Sequence, residues 1–212
     1  MFELHSLLLF IAAGLVLNFT PGPDVLYITA RSLSQGWRAG AASALGISAG
    51  CLVHTAAAAF GISVLLRTAP VAYDVIRMAG AAYLVYLGIR GLRTRAATAA
   101  TAAIAPLAPT PMHTVFWQGF VTNVLNPKVA LFFLAFLPQF ADPARGSFAL
   151  QIAALGLIFI FNGLWVCLFY AWAAAAAAHW LKERGSSVTW LQRFSGGVLV
   201  ALGLHLALNR AR

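Results

Sequence analysis

Thirty-six consecutive residues, from Gly146 to Leu181, contain no Asp, Glu, Lys or Arg. A helix that crosses the hydrocarbon core of a bilayer needs roughly 20 apolar residues, so this run can hold one membrane span with both of its ends. The rest of the chain is similar, because 61% of its residues are hydrophobic and only 9% are charged. Soluble domains carry about 25% charged residues. Lipid must therefore be the solvent for most of the surface.

Five further apolar segments are predicted to cross the membrane. They are Leu4–Pro23, Ala39–Leu66, Val71–Ile89, Thr114–Ala141 and Phe194–Asn209. None alternates apolar and polar residues with a period of two, as the strands of a membrane β-barrel do. We predict an all-α membrane protein with six transmembrane helices.

Basic residues in the loops predict the orientation, because cytoplasmic loops are enriched in Lys and Arg. If the N-terminus faces out, the inside loops hold Arg31, Arg38, Arg90, Arg93, Arg95, Lys182, Arg184 and Arg193, and the outside holds Arg67, Arg77, Arg145, Arg210 and Arg212. This excess favours a multi-pass protein of the bacterial inner (plasma) membrane with both termini in the periplasm. Glu3 and His5 stand where a cleavable signal peptide would be basic, so we expect no such peptide.

Residues 93–113, rich in Ala, Thr and Pro, form a predicted cytoplasmic linker within a single membrane domain, 1–212. The linker separates two halves of three helices each, 1–92 and 114–212. An odd number of spans gives the halves opposite orientations, and inverted repeats recur in transporters. The first span of each half has a proline beside an ionisable residue, Pro23-Asp24 and Pro127-Lys128. We predict two inverted three-helix repeats with proline-broken helices 1 and 4.

The break in the first span is the segment NFTPGPD. Its helix-breaking residues are Pro21, Gly22 and Pro23, and its polar residues are Asn18, Thr20 and Asp24. Prolines remove backbone donors, and the carbonyls they free must be buried in protein or line a wet cavity. A new helix starting near Asp24 would present N–H groups to a substrate carboxylate. The alternative is a turn at the interface with Asp24 as a helix cap.

The break in the fourth span is NVLNPK. Asn123 and Asn126 share a helix face, Pro127 frees carbonyls of the preceding turn, and Lys128 lies between two apolar runs. A lone ammonium at membrane depth should face a partner or a water-filled cavity. The alternative is that Lys128 extends toward the membrane interface.

Asp24 and Lys128 are natural counter-charges. Paired, they would lower each other's cost of burial. Separated by a zwitterion, Asp24 would hold its ammonium group, and Lys128 or a helix N-terminus would hold its carboxylate. Asp24 could also accept a proton when the substrate leaves. We therefore predict a substrate and proton site at this pair.

Other polar residues within the spans are less specific. His54 could shuttle protons or be a hydrogen-bonded packing residue. Asn162 could face the cavity or bond to an adjacent helix. Cys51 and Cys167 lie in apolar runs without metal-ligand spacing, and we expect them to be inert buried thiols.

Several classes of function lack the residues that they need. The chain has no phosphate-binding GxxxxGK[ST] loop, no HExxH and no Ser/His/Asp set. We predict no enzymatic activity, no cofactor and no metal. The net charge of +9 comes from loops, not from a basic and aromatic polar face, so no nucleic-acid partner is predicted. The small-residue pairs Gly36/Gly40 and Gly46/Gly50 predict close helix packing and leave a homo-oligomer open.

These residues resemble the lysine exporter and homoserine/threonine resistance (LysE/RhtB) family. The resemblance covers essentially the whole chain. It rests on Thr20–Pro23 (TPGP), Gly119–Asn123 (GFVTN) with Asn126–Lys128 (NPK), Pro138–Phe140 (PQF), Gly36–Gly40 (GWRAG) and Gly46–Gly50 (GISAG). It maps Thr20, Pro21, Gly22, Pro23, Asp24, Asn126, Pro127 and Lys128 onto the recurring core of the family.

The resemblance implies export of amino acids or close derivatives, of the threonine, homoserine, homoserine lactone, leucine or lysine type, driven by the proton-motive force. Two other functions stay open. A toxic-cation efflux carrier is disfavoured because soft cations prefer thiolates and imidazoles, whereas the polar residues here are mainly Asp, Asn and Lys. An assembly subunit without transport activity would leave the buried ionisable residues unexplained.

Overall fold

The structure, a computed structural model, describes residues 2–62, 68–93 and 109–177, and most of these residues are helical. The helices are α1 (Leu4–Phe19), α2 (Pro23–Gln35), α3 (Trp37–Ala56), α4 (Pro70–Arg93), α5 (Met112–Val124), α6 (Pro127–Leu131) and α7 (Phe148–Ala177). A π-helical turn, Ala57–Ile62, extends α3. A π-helical turn, Phe132–Phe136, and a 3₁₀ turn, Leu137–Phe140, extend α6. The all-α prediction is confirmed for these residues.

By length and composition, two described helices can cross a membrane, Trp37–Ile62 and Phe148–Ala177, and up to four can if each bent pair is one span. The predicted third span lies within α4, which is not among these candidate spans. Asp74 and Arg77, which form an ion pair at 3.1 Å, lower the mean hydropathy of this helix. The predicted sixth span and most of the predicted linker lie outside the described residues.

Both bent pairs break at proline. α1 and α2 meet at 52°, and α5 meets the segment Pro127–Phe140 at 47°. In each case the proline is at the first position of the new helix, where its missing N–H has no intrahelical partner to lose. Helix therefore continues beyond the predicted end of the first span at Pro23. Arg31, predicted to lie in an inside loop, instead lies within α2 and is buried.

The two bent pairs run antiparallel. At one end, the guanidinium of Arg145 pairs with the carboxylate of Glu3. At the other end, Gln35 Nε2 donates to the carbonyl of Thr110 at 2.9 Å. Between these ends, Lys128 reaches the carbonyl of Leu17. The two breaks therefore lie at the same level of the bundle.

The Glu3–Arg145 end is held by charge and by aromatic packing. Arg145 also contacts Asp142 at 3.1 Å. The hydrogen bond from Arg145 to Glu3, with the charges of Glu3 and Asp142, raises the pKa of Arg145 above its ordinary value, so the guanidinium stays ionised. Between this end and the breaks lies a core of buried aromatic rings. It includes Phe10, Phe132, Phe133, Phe136 and Phe159.

Helices α3 and α5 pack closely because glycines line their contact. A Cβ on Gly46 would lie 2.0 Å from the carbonyl oxygen of Phe116, and one on Gly119 would lie 2.7 Å from that of Ser43. Only a residue without a side chain lets the two backbones approach so closely. This contact fixes the position of Asn123 on α5 against Gly50 on α3.

We expect Gly46→Ala to destabilise the protein, because the added methyl group meets a backbone carbonyl that cannot rotate away. Overpacking of this kind costs about 1–3 kcal/mol. Gly61→Ala is the matched control, since a Cβ there meets nothing within 4 Å. Thermal unfolding in detergent should show a lower Tm for Gly46→Ala alone. Equal Tm values for both variants would contradict the close α3–α5 contact.

Candidate functional site

The two proline breaks face one small cavity at the centre of the bundle. Asp24, at the start of α2, and Lys128, at the start of α6, both line it. Both side chains are buried, with 7% of Asp24 and 5% of Lys128 exposed. The structure thus brings the predicted acid and the predicted amine to the same enclosed space, one from each half of the chain.

Lys128 is held by backbone carbonyls at the first break. Its Nζ donates to the carbonyl oxygens of Leu17, at 3.1 Å, and Thr20, at 2.9 Å. In an unbroken helix the carbonyl of Leu17 would accept from residue 21, but Pro21 has no N–H to give. The ammonium group of the second half therefore bonds to this carbonyl, which also accepts from the backbone N–H of Thr20 at 3.1 Å.

The other two prolines at the breaks leave carbonyls that are satisfied in the same way. Pro23 cannot donate to the carbonyl of Phe19, which accepts instead from Tyr170 Oη at 2.9 Å. Pro127 cannot donate to the carbonyl of Asn123, which accepts from the backbone N–H of Asn126 at 2.9 Å and lies 3.0 Å from His54 Nε2. Because a carbonyl oxygen only accepts, Nε2 of His54 carries the hydrogen in this contact. His54 is thus a donor to the second break.

Asp24 is held from the other half of the chain. Its Oδ2 accepts from Asn123 Nδ2 at 2.9 Å. The residue that caps α2 is Gly22, and no side chain caps that helix end. Among the described residues, no ion pair within 4 Å joins Asp24 to Lys128. Asp24 and Lys128 thus face one cavity without a direct ion pair, and each is held by hydrogen bonds to other residues.

The cavity is small and mostly apolar. Its apolar wall includes Leu17, Val25, Ile47, Val129, Phe159 and Ile160, and its polar wall includes Asn18, Ser48 and Asn123. The volume open to water is about 20 Å³, which is enough for one ordered water molecule. An amino acid is several times larger, so the structure is a closed state that must widen to admit one.

Three buried polar atoms on the cavity wall have no hydrogen-bond partner in the structure. They are Asp24 Oδ1, Asn123 Oδ1 and Asn18 Nδ2. A buried polar atom without a partner costs about 1–3 kcal/mol, and such atoms are rare in native proteins. Two acceptors and one donor around a cavity are groups with which a polar ligand can bond.

The remaining predicted residues surround the cavity at different distances. Asn126 is buried, and its Oδ1 accepts from the backbone N–H of Lys128 at 3.0 Å, which caps α6. Thr20 contributes its carbonyl to Lys128, and its hydroxyl donates to Val16. Asn162 lies half-buried on α7 and is not among the described residues that line the cavity, whereas its neighbour Gly163 is.

Sequence reasoning missed the role of Tyr170 and did not predict that the two cysteines line the cavity or that Lys128 packs against Gly22. Tyr170 gives no local signal, because one tyrosine in an aromatic-rich helix looks like packing. Cys51 and Cys167, expected to be inert, line the cavity. The position of Cys51 follows from helix periodicity, since Ile47 and Cys51 are four residues apart on one face. Gly22 lets Lys128 approach, because a Cβ there would lie 3.2 Å from Nζ.

A polar cluster closes the α2–α5 contact beyond the cavity, toward the Thr110 end. The side-chain oxygen of Gln118 accepts from Arg31 Nη2 at 2.7 Å and from Tyr27 Oη at 3.0 Å. Arg31 also donates to Gln35 and Thr110, at 2.9 Å each. The cavity therefore lies between this polar cluster and the aromatic core at the opposite end.

Comparison with known proteins identifies the chain. The family model described as LysE type translocator matches residues 15–210. The chain belongs to the LysE translocator family. It is therefore a multi-pass membrane protein of a transport family, as predicted, and both proline breaks lie within the matched region. No solved structure matches it.

Two of the three relatives described next cover nearly the whole chain, and the third covers about two thirds of it. An uncharacterized membrane protein of Bacillus subtilis is 28% identical over 97% of this chain and 100% of its own length. A homoserine/homoserine lactone efflux protein of Salmonella typhi is 29% identical over 95% of each chain. A leucine efflux protein of Salmonella choleraesuis is 29% identical over 63% of this chain and 62% of its own.

We expect Tyr170→Phe to destabilise this LysE protein by about 1–3 kcal/mol, because it leaves the carbonyl of Phe19 buried without a donor. Tyr86→Phe is the matched control, since Tyr86 is 55% exposed on α4, and its hydroxyl should matter little. Chemical unfolding in detergent measures both variants. If Tyr170→Phe proves no less stable than Tyr86→Phe, the carbonyl does not depend on the hydroxyl.

Proposed function

We propose that the chain is a secondary exporter that binds the zwitterion of an amino acid, or of a close derivative, between Asp24 and Lys128. The observation that carries the proposal is the placement of these two buried, opposite charges on one cavity at the level of both helix breaks. Intramembrane ionisable residues typically mark substrate or proton paths. Broken helices at mid-membrane are typical of transporter binding sites.

The relatives support the class of substrate. The names of two relatives refer to efflux of homoserine, homoserine lactone and leucine. All of these carry an α-amino group, and the two free amino acids also carry an α-carboxylate. In the proposed site, Asp24 and Asn123 hold the ammonium group, while Lys128 and Asn18 hold the carboxylate. Asn126, Thr20 and His54 position these residues, and Asn162 has no direct role.

The proposed architecture is that of two inverted halves, 1–92 and 114–212, in the bacterial inner membrane with both termini in the periplasm. The antiparallel course of the two bent pairs supports it, because inverted repeats bring their first spans together in opposite directions. In this arrangement the Glu3–Arg145 end is periplasmic, and the Arg31–Gln118 cluster lies on the cytoplasmic side.

Coupling to protons completes the proposal. Asp24 is buried next to an amide and has one carboxylate oxygen without a partner. In the proposed cycle, this carboxylate loses a counter-charge when the substrate ammonium leaves and takes up a proton in its place. Export would then be driven by protons moving inward through the same residue.

A cation carrier is the second candidate, because both thiols line the cavity with Asp24. The ammonium of Lys128 in the same space repels a metal cation, which favours the amino-acid function. The double variant Cys51→Ala/Cys167→Ala separates the two functions. If the chain is an amino-acid exporter, this double variant should still export amino acids. If the chain is a cation carrier, cells with the double variant should lose resistance to soft metal ions.

We expect Asp24→Asn and Lys128→Gln to reduce export at least about tenfold, because each loses one charge that the zwitterion needs while keeping a group that can hydrogen-bond. Export is measured as amino-acid release from cells loaded with dipeptides. Asp74→Asn changes an exposed carboxylate on α4 that does not line the cavity; it is the control and should export normally. Membrane content is measured for each variant. Normal export by both site variants would refute the site.

A further inference from the structure

The described side chains on the wall of the cavity include one acid and one amine, whose formal charges sum to zero. Asp24 has the only carboxyl group among these described side chains and Lys128 the only amine, and the others are apolar, amide, hydroxyl or thiol groups. Each charge is buried and has polar contacts of its own. A bound molecule therefore enters a closed space in which the fixed charges already balance.

The unpartnered atoms match the two poles of an α-amino acid. Asp24 Oδ1 and Asn123 Oδ1 accept hydrogen bonds and fit an ammonium group. Asn18 Nδ2 donates, and Lys128 has a third N–H beyond the two given to Leu17 and Thr20, so both fit a carboxylate. These four groups can bond to both charged groups of a zwitterion, so that no charge of the site or of the ligand is left without a counter-charge.

The rest of the wall, as far as the described residues form it, has no group for a third charge. A substrate side chain would meet Val25, Ile47, Phe159 and Ile160, with the hydroxyl of Ser48 and two thiols as the neutral polar exceptions. A charge placed there would be buried without a counter-ion, which is strongly unfavourable.

On the basis of the proposed function, we infer that this site selects by net charge and accepts only zwitterions whose total charge is zero. Neutral amino acids satisfy the rule. Lysine and glutamate break it through their side chains. Derivatives whose carboxylate is amidated, esterified or closed into a lactone break it when their amino group is protonated, because they leave Lys128 without a counter-charge. The cavity thereby accepts homoserine and rejects protonated homoserine lactone, whereas the name of one relative includes both compounds.

Three matched pairs of compounds test the rule in proteoliposomes. Each compound competes with counterflow of radiolabelled leucine or homoserine, whichever the chain transports, at a mildly acidic pH that protonates every amino group. Leucine and leucinamide, norleucine and lysine, and glutamine and glutamate each have similar shapes and differ by one charge. We expect the charged member of each pair to compete at least about tenfold more weakly.

A variant of the wall tests the same rule in the opposite direction. Ser48→Asp adds one negative charge beside the cavity, and Ser48→Asn adds a side chain of the same size without charge. We expect Ser48→Asp to improve competition by lysine and leucinamide relative to norleucine and leucine. Ser48→Asn should leave these ratios as in the original protein. Equilibrium binding of radiolabelled leucine or homoserine to the purified protein in detergent, with lysine or leucinamide as competitor, reports binding by a variant that transports poorly.

The outcomes separate the inference from the proposed function. Equal competition within the pairs, in a chain that transports leucine or homoserine, would overturn the charge rule and leave the exporter intact. Improved lysine competition in Ser48→Asn as well as Ser48→Asp would also overturn the rule, because size and not charge would then explain the change. If no amino acid undergoes counterflow, the proposed function fails, and the rule fails with it.

Discussion

A carbonyl group that loses its helical partner inside a membrane has no water to replace it, and this constraint organises the centre of the molecule. Pro21, Pro23 and Pro127 each remove one helical donor. The three carbonyls they expose accept from Lys128, Tyr170 and His54, each on a different helix from the carbonyl. The breaks are therefore joints between helices, in which a side chain of a neighbouring helix bonds to each carbonyl. The carbonyls of Leu17 and Asn123 also accept a backbone N–H, from Thr20 and Asn126.

The bonds that satisfy the breaks also tie the two halves of the chain together. Lys128 belongs to the second half and closes the first break, while His54 belongs to the first half and closes the second. Asp24 and Asn123 add a bond in the same region. A movement that widens the cavity must exchange these bonds for others. Under the proposed function, a substrate carboxylate at Lys128 competes with backbone carbonyls for the same ammonium, which links binding to movement of the breaks.

The two helix breaks could be predicted from the sequence more readily than the side chains that hydrogen-bond to them. Prolines beside Asp24 and Lys128 at membrane depth are unusual, so both breaks stood out without a structure. Tyr170 could not be found, because its role depends on which carbonyl lies across an interface 151 residues away in sequence. Arg31 was expected in a loop because charge counting assumes short spans, whereas helix resumes after Pro23 and carries Arg31 into the α2–α5 contact.

The charge rule limits how the membrane potential can drive transport. The empty site and the site with a bound zwitterion have the same net charge, so under the charge rule neither form crosses the low-dielectric centre with an excess charge. Movement of the substrate alone then transfers no charge across the membrane, and the membrane potential cannot drive it. A proton on Asp24 changes this, because the returning carrier then has a charge of +1 and senses the potential. Under the proposed function, the group that binds the ammonium is then also the group that couples export to protons.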